Sequence, residues 1–214
     1  RNLSEIVGRI ESGDLQAEIV SVVVNNPDAK VVKNAKKHSL PTHILAFDSK
    51  IKDHQIRKSY EEKLVKHIRK YSPDLIILAG WMLILSDTFL SEMQALEIPV
   101  INLHPALLTQ DLKDYINTSR GQIPVIRGAN AILEAFRQRL QVSGVTVHQL
   151  LPNNHFDIGP IILKEEVRIK EDDTLEKFEA RIHDAEKRTL TTAIKRVLHV
   201  MKEGIDVSRG EFYW

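Results

Sequence analysis

The sequence contains no cysteine, which excludes disulfide bridges, thiolate zinc sites, iron–sulfur clusters and cysteine nucleophiles. It also has almost no net charge. Lys+Arg 30 against Asp+Glu 29 leaves +1, too little for a chain that grips nucleic acid or an anionic membrane through bulk charge. No apolar run approaches the roughly 20 residues needed to cross a bilayer as a helix. Internal repeats, low-complexity tracts and interdomain linkers are absent as well. What is present is an ordinary globular composition, 43% hydrophobic and 28% charged over 214 residues, which fits one domain with a single core. The lack of cysteine is compatible with a reducing compartment, and a cytoplasmic setting is the expectation.

Leu3, Ile6, Val7 and Ile10 recur at helical spacing, with Gly13 as the stop. Ile19 to Val24 is a continuous β-branched run, the pattern of a strand buried on both faces. A basic helix from about Ala29 to His38, a strand at Thr42 to Leu45 and a long amphipathic helix from about Ile56 to Tyr71 follow. Leu75 to Gly80 and Pro99 to Leu103 read as two further strands. Strands alternating with helices predict an α/β fold, an open and mostly parallel twisted sheet covered by helices on both faces. In such sheets ligands bind beyond the carboxyl ends of the strands, here just after Leu78 and Ile101. The second part predicts two strands, Gly144 to Leu150 and Gly159 to Lys164, around the loop from Leu151 to Ile158, and then Val167-Arg168-Ile169. A helix from about Thr174 to Lys202 follows, with Asp173 as its N-cap and Glu176 at capping-box spacing. The aromatic tail Glu211 to Trp214 can pack as a final strand.

Two segments carry side chains suited to chemistry. Asn102-Leu103-His104-Pro105 directly follows a buried strand. An asparagine amide there can donate to a developing oxyanion, and a histidine can move a proton near neutral pH. Pro105 holds His104 to an extended backbone, which fixes how the ring is presented. The plain alternative is a loop that opens with ordinary polar residues. Asp157, ahead of Ile158-Gly159-Pro160, is either a turn former or the partner that orients His104 and stabilises its imidazolium.

Leu78 to Leu85, Asn102 to Leu108, Gly144 to His148 and Asp157 to Leu163, taken in that order, resemble the folate-dependent formyltransferases. The resemblance implies a Rossmann-like formyltransferase fold over the whole chain. Within it, residues 1–103 form a nucleotide- and phosphate-binding half and residues 104–214 a folate-binding, catalytic half. It implies 10-formyltetrahydrofolate as co-substrate and no metal. Arg181 to Glu186 resembles the ribose-holding helix of the members that formylate the amine of glycinamide ribonucleotide in purine synthesis. The implied catalytic residues are Asn102 for the oxyanion, His104 for the leaving N10 and Asp157 to hold His104. Asn2, Arg57, Pro105, His183 and Glu186 are implied at the nucleotide, Asn2 as the end of a glycine-rich phosphate loop and Arg57 near the phosphate. Met82, Leu83, Ile84, Leu85, Thr146 and Asp157 are implied at the folate. Read singly, Arg57 is equally a solvated helix charge, Glu186 a salt-bridge partner of Arg181 or Lys187, and Leu83 to Leu85 plain core. The implied protein acts as a monomer or homodimer on small molecules.

The chain departs from the family pattern in three places. The family's opening strand and most of its phosphate loop would lie ahead of Asn2, and the expectation is that they precede Arg1. A polar insertion occupies about residues 109–126, read as a mobile lid or lineage-specific loop whose Asp111, Lys113 and Asp114 are solvated. The loop Leu151 to Phe156 is longer than usual, with His155 read as an exposed loop histidine. A different user of 10-formyltetrahydrofolate, such as a deformylase, would keep Asn102, His104 and Asp157 but change the acceptor pocket. A silent relative would bind folate or nucleotide without turnover.

Overall fold

Period-two alternation decides how the central strands divide their side chains between two layers of helices. A computed structural model describes residues 1–48, 50–51, 53–154 and 156–210. Its elements are α1 (Asn2–Glu11), β1 (Val22–Val24), α2 (Lys30–Lys37), β2 (Thr42–Ile44), α3 (His54–Tyr71), β3 (Ile76–Ala79) and α4 (Asp87–Ala95). They continue with β4 (Val100–His104), β5 (Tyr115–Thr118), β6 (Gly121–Pro124), α5 (Ala131–Arg137), β7 (Val142–Leu150), β8 (Ile161–Arg168) and α6 (Leu175–Lys202). Along β4 and β7, Ile101, Leu103, Val145 and Val147 point into one apolar core with Phe178, Ile182, Leu190, Ile194 and Val197 of α6. Val100 points the other way, into a second core with Tyr60, Leu64 and Ile68 of α3 and Phe89, Leu90 and Met93 of α4. The residues between the apolar ones, Asn102 and His104 on β4 and Thr146 and His148 on β7, therefore share the α3/α4 face.

The four-stranded sheet runs β3-β4-β7-β8. β3 and β4 are parallel, whereas β4/β7 and β7/β8 are antiparallel. β1 and β2 pair in parallel as a separate two-stranded sheet. The α/β layering expected from the sequence is present, with parallel pairing confined to the first half. Antiparallel pairing takes over because β7 and β8 form a hairpin and no helix crosses between them. The boundary placed at residues 103/104 falls inside β4, which pairs with β3 on one side and β7 on the other, so the two proposed halves share a strand.

Three local expectations differ from what forms. The run from Ile19 gives only a three-residue strand, because Ile19 packs into the α6 core instead of pairing. Thr174, not Asp173, caps α6, accepting from the Lys177 amide at 3.3 Å. Asp173 instead pairs with Arg181 and accepts from the Lys170 amide at 2.7 Å. The insertion is an ordered antiparallel hairpin, β5–β6, joined by Ser119-Arg120. Its Ile116 and Ile123 pack on Leu107 and Val142, and its tip is held by the Ser119 amide donating to Glu166 at 3.0 Å. Asp111, Lys113 and Asp114 are exposed. The tail from Glu211 to Trp214 and His155 lie outside the described residues. Among the described residues no helix is long and apolar enough to cross a membrane.

Candidate functional site

Asn102 and His104 end β4 on the face where the helical cover of α3 and α4 stops, and Asp157 reaches them from the β7–β8 loop. The His104 ring is buried, and its Nε2–H donates to the Ile126 carbonyl at 2.9 Å. That bond keeps a proton on Nε2 and turns Nδ1 toward the Asp157 carboxylate, 3.5 Å away. Asp157 sits at φ +56°, a left-handed turn position, and its Oδ2 accepts from the Gly128 amide at 2.6 Å. The structure thus brings together the three residues expected to be catalytic.

A fourth member of the cluster, His148, carried no role in the sequence reading. It faces Asn102 across the β4–β7 ladder, and the Asn102 Nδ2–H donates to its Nε2 at 3.1 Å. Its Nε2 also lies 3.9 Å from Asp157. Burial drives the His148 pKa down to about 4; the charge of His104 pushes the same way and Asp157 opposes it. The ring is therefore a neutral acceptor at physiological pH, its Nδ1–H buried without a partner. It fixes the Asn102 amide and leaves that amide's second N–H available to a ligand. Alternation on β7 was the signal for it, since His148 shares a face with Thr146 while Val145 and Val147 face the core.

A depressed histidine pKa has a consequence for stability. Between its folded value, about 4, and the ordinary 6.5, the unfolded chain binds a proton that the folded chain refuses. Stability is then fully present above the unfolded value and is lost as pH falls through this window, by up to about 3 kcal/mol. Denaturant unfolding at about pH 7 and about pH 5 tests this. His148→Gln should lack about 2 kcal/mol of the wild-type loss, and identical losses in the two proteins would refute it.

Besides Pro105, directly after β4, the remaining expected site residues fall into four groups. Thr146 is fully buried with both hydrogen-bonding functions used: its hydroxyl donates to the Ala106 carbonyl at 2.8 Å and accepts from the Leu108 amide at 3.0 Å. The side chain braces the turn after His104 from beneath. Met82 and Ile84 are exposed at 66% and 62%, while Leu83 and Leu85 are buried in the α3/α4 core, leaving those two only backbone groups to offer. This 80–86 segment is anchored by the buried Glu61, which accepts from the Ser86 amide at 3.0 Å.

Asn2 and the His183–Glu186 pair (3.0 Å) are carried by α1 and α6, which pack on each other, and the Asn2 side-chain oxygen is buried without a partner. Glu186 pairs with His183, whereas Arg181 pairs with Asp173 and Lys187 with Asp184. Arg57 lies apart from this group, 3.6 Å from Glu61 and over the Phe47 ring. Phe47 is one wall of an open groove of about 1000 Å³, lined also by Asn25, Tyr60, Lys63, Gly80 and Met82. The groove lies at the carboxyl ends of β1, β2 and β3, and Asn102, His104 and Asp157 are not among its walls. In that groove wall the buried Tyr60 hydroxyl has no partner, and burial pushes its pKa up to about 12.

The chain is similar to known proteins over most of its length. Residues 1–194 match the family described as formyl transferase. The phosphoribosylglycinamide formyltransferase of Bacillus subtilis is 32% identical over 203 residues, covering 95% of this chain and 92% of its own. That of Dictyostelium discoideum is 38% identical, covering 91% of both chains. Among solved structures, the phosphoribosylglycinamide formyltransferase of Bacillus halodurans superposes with a TM-score of 0.74 at 29% identity, covering 92% of this chain and 89% of that one. A formyltetrahydrofolate deformylase from Pseudomonas putida superposes with a TM-score of 0.70 at 26% identity, covering 92% of this chain but 61% of that one.

Proposed function

The chain belongs to the formyl transferase family, and from that premise we propose that it transfers the formyl group of 10-formyltetrahydrofolate to the amine of glycinamide ribonucleotide, in purine biosynthesis. The observation that carries this reading is the convergence of Asn102, His104 and Asp157 at the end of β4. The substrate amine attacks the formyl carbon. The formyl oxygen becomes an oxyanion, and the free Asn102 N–H donates to it. As the intermediate collapses, the C–N10 bond breaks and the His104 imidazolium passes its Nδ1 proton, the one not held by the Ile126 carbonyl, to N10. The proton lost by the attacking amine balances the one gained by the folate. Asp157 stabilises the His104 imidazolium between these transfers.

The binding roles are proposed on the same basis. Asn2, with the amide groups opening α1, and the His183–Glu186 pair take the ribose phosphate. Pro105 shapes the turn beside it, and Met82 and Ile84 present side chains to the folate where Leu83 and Leu85 present backbone. Arg57 is assigned to an anionic end of a substrate; its side chain is 26% exposed beside Phe47. The division at residues 103/104 is crossed in both directions, since His183 and Glu186 from the second half serve the nucleotide, residues 82–85 from the first serve the folate, and β4 is shared. The reaction is placed in the cytoplasm, carried out by a monomer or homodimer.

The test is a turnover assay following deformylated folate by absorbance. Turnover that requires glycinamide ribonucleotide is the expected result. Turnover without the nucleotide would replace the reading with a hydrolase, as in the deformylases of similar fold. Folate binding without turnover would replace it with a silent relative.

A further inference from the structure

We propose that Arg127 is the positioning residue through which the inserted hairpin holds His104 and Asp157 in register, an inference that rests on the formyl-transfer reading of the same site. The two backbone groups that fix the pair flank Arg127 in sequence. The Ile126 carbonyl accepts from His104 Nε2–H at 2.9 Å, and the Gly128 amide donates to Asp157 Oδ2 at 2.6 Å. Any displacement of residues 126–128 therefore moves both partners of the 3.5 Å His104–Asp157 contact together.

The Arg127 side chain holds that segment in place. The two N–H groups of its Nη2 are shared among three acceptors, the Thr109 hydroxyl at 3.0 Å, the Asp111 carbonyl at 2.9 Å and the Lys113 carbonyl at 3.1 Å. All three acceptors lie where the chain leaves the Asn102-to-Leu108 segment to enter the hairpin, and Arg127 lies where it returns. The guanidinium thus closes the neck of the excursion. Its Nε is buried without a partner, so the group is held inside the neck and is not a cation free to follow solvent. Beyond the neck the hairpin is docked twice, by Ile116 and Ile123 on Leu107 and Val142 and by Ser119 on Glu166. An element with both ends and its tip fixed acts as a brace. Without the guanidinium, the Ile126 carbonyl is free to drift, and His104 loses the bond that sets its tautomer and ring orientation.

Arg127→Met and Arg127→Lys separate this role from general stabilisation. Methionine keeps the apolar stem and removes every donor, whereas one lysine ammonium has three donors for the three acceptors. Arg127→Met should lower kcat about 10- to 100-fold, with KM for both substrates within about threefold of wild type. Arg127→Lys should recover most of that loss. A second readout needs no turnover: the His104 ring N–H in a nitrogen-resolved NMR spectrum, assigned with His104→Gln. It should be protected from solvent exchange in the wild type and in Arg127→Lys, and exchange rapidly in Arg127→Met. Unchanged kcat and an unchanged ring signal in Arg127→Met overturn the proposal. So does a kcat loss that lysine does not rescue and that tracks a lowered unfolding midpoint. A wild type that lacks formyl transfer removes the functional reading alone, and the ring signal still decides the brace.

Discussion

An Asp157→Asn variant should fold, bind both substrates and turn over about 10³- to 10⁴-fold more slowly than the wild type. The substitution keeps the shape of the side chain and an oxygen able to accept from the Gly128 amide, so the turn at φ +56° retains its anchor. What it removes is the negative charge 3.5 Å from His104 Nδ1. His104 must carry two protons before it can give one to N10, and Nε2–H is already engaged with the Ile126 carbonyl. An amide opposite Nδ1 stabilises that imidazolium far less than a carboxylate does, in a pocket where both side chains are at least 88% buried. His148 cannot substitute, because burial holds it neutral. The check is kcat and KM for each substrate, with the unfolding midpoint measured in parallel. A kcat within a few-fold of wild type would reduce Asp157 to a cap on Gly128.

The parts of this site that the sequence revealed are those governed by short-range patterning. Asn102 and His104 were legible because β4 is a buried apolar strand whose polar residues appear at alternate positions, and buried polar groups need partners. The partner across the ladder, His148, was equally present in the alternation of β7, but a register between strands more than forty residues apart is not encoded in either strand alone. The same limit hid the partners of Thr146, whose two bonds tie it to the Ala106–Leu108 turn. The hairpin was hidden by composition. Tyr115-Ile116-Asn117-Thr118 and Gly121-Gln122-Ile123-Pro124 are short and mostly polar, and each buries one isoleucine. Marginal strands of this kind exist only because a body is there to dock on. The cap of α6 went to Thr174 because Arg181, two turns into the helix, claims Asp173.

Two glycine-to-alanine substitutions should move stability in opposite directions. Gly159 lies two residues beyond Asp157 at φ +150°, a backbone conformation that side chains rarely adopt. A Cβ there would fall well inside van der Waals contact distance of the Gln149 carbonyl oxygen, a backbone atom that cannot rotate away. Gln149 is itself buried and tied down, its side chain donating to the Val207 carbonyl at 2.7 Å and the Ser208 carbonyl at 3.0 Å, and its amide to the Pro160 carbonyl at 2.9 Å. Relief must therefore come from the turn that carries Asp157. Gly159→Ala should cost about 3 kcal/mol, a midpoint lower by roughly 6–12 °C, and should reduce kcat because the carboxylate moves with the turn. Gly8 sits on the exposed face of α1 with nothing within 4 Å of its ideal Cβ and no left-handed φ. There, alanine removes backbone freedom from the unfolded chain at no steric penalty, so Gly8→Ala should stabilise by about 0.5–1 kcal/mol. Thermal melts of both variants decide the matter. If Gly159→Ala melts with the wild type and keeps its kcat, the close approach of the Asp157 turn to β7 is wrong, and with it the placement of the carboxylate against His104.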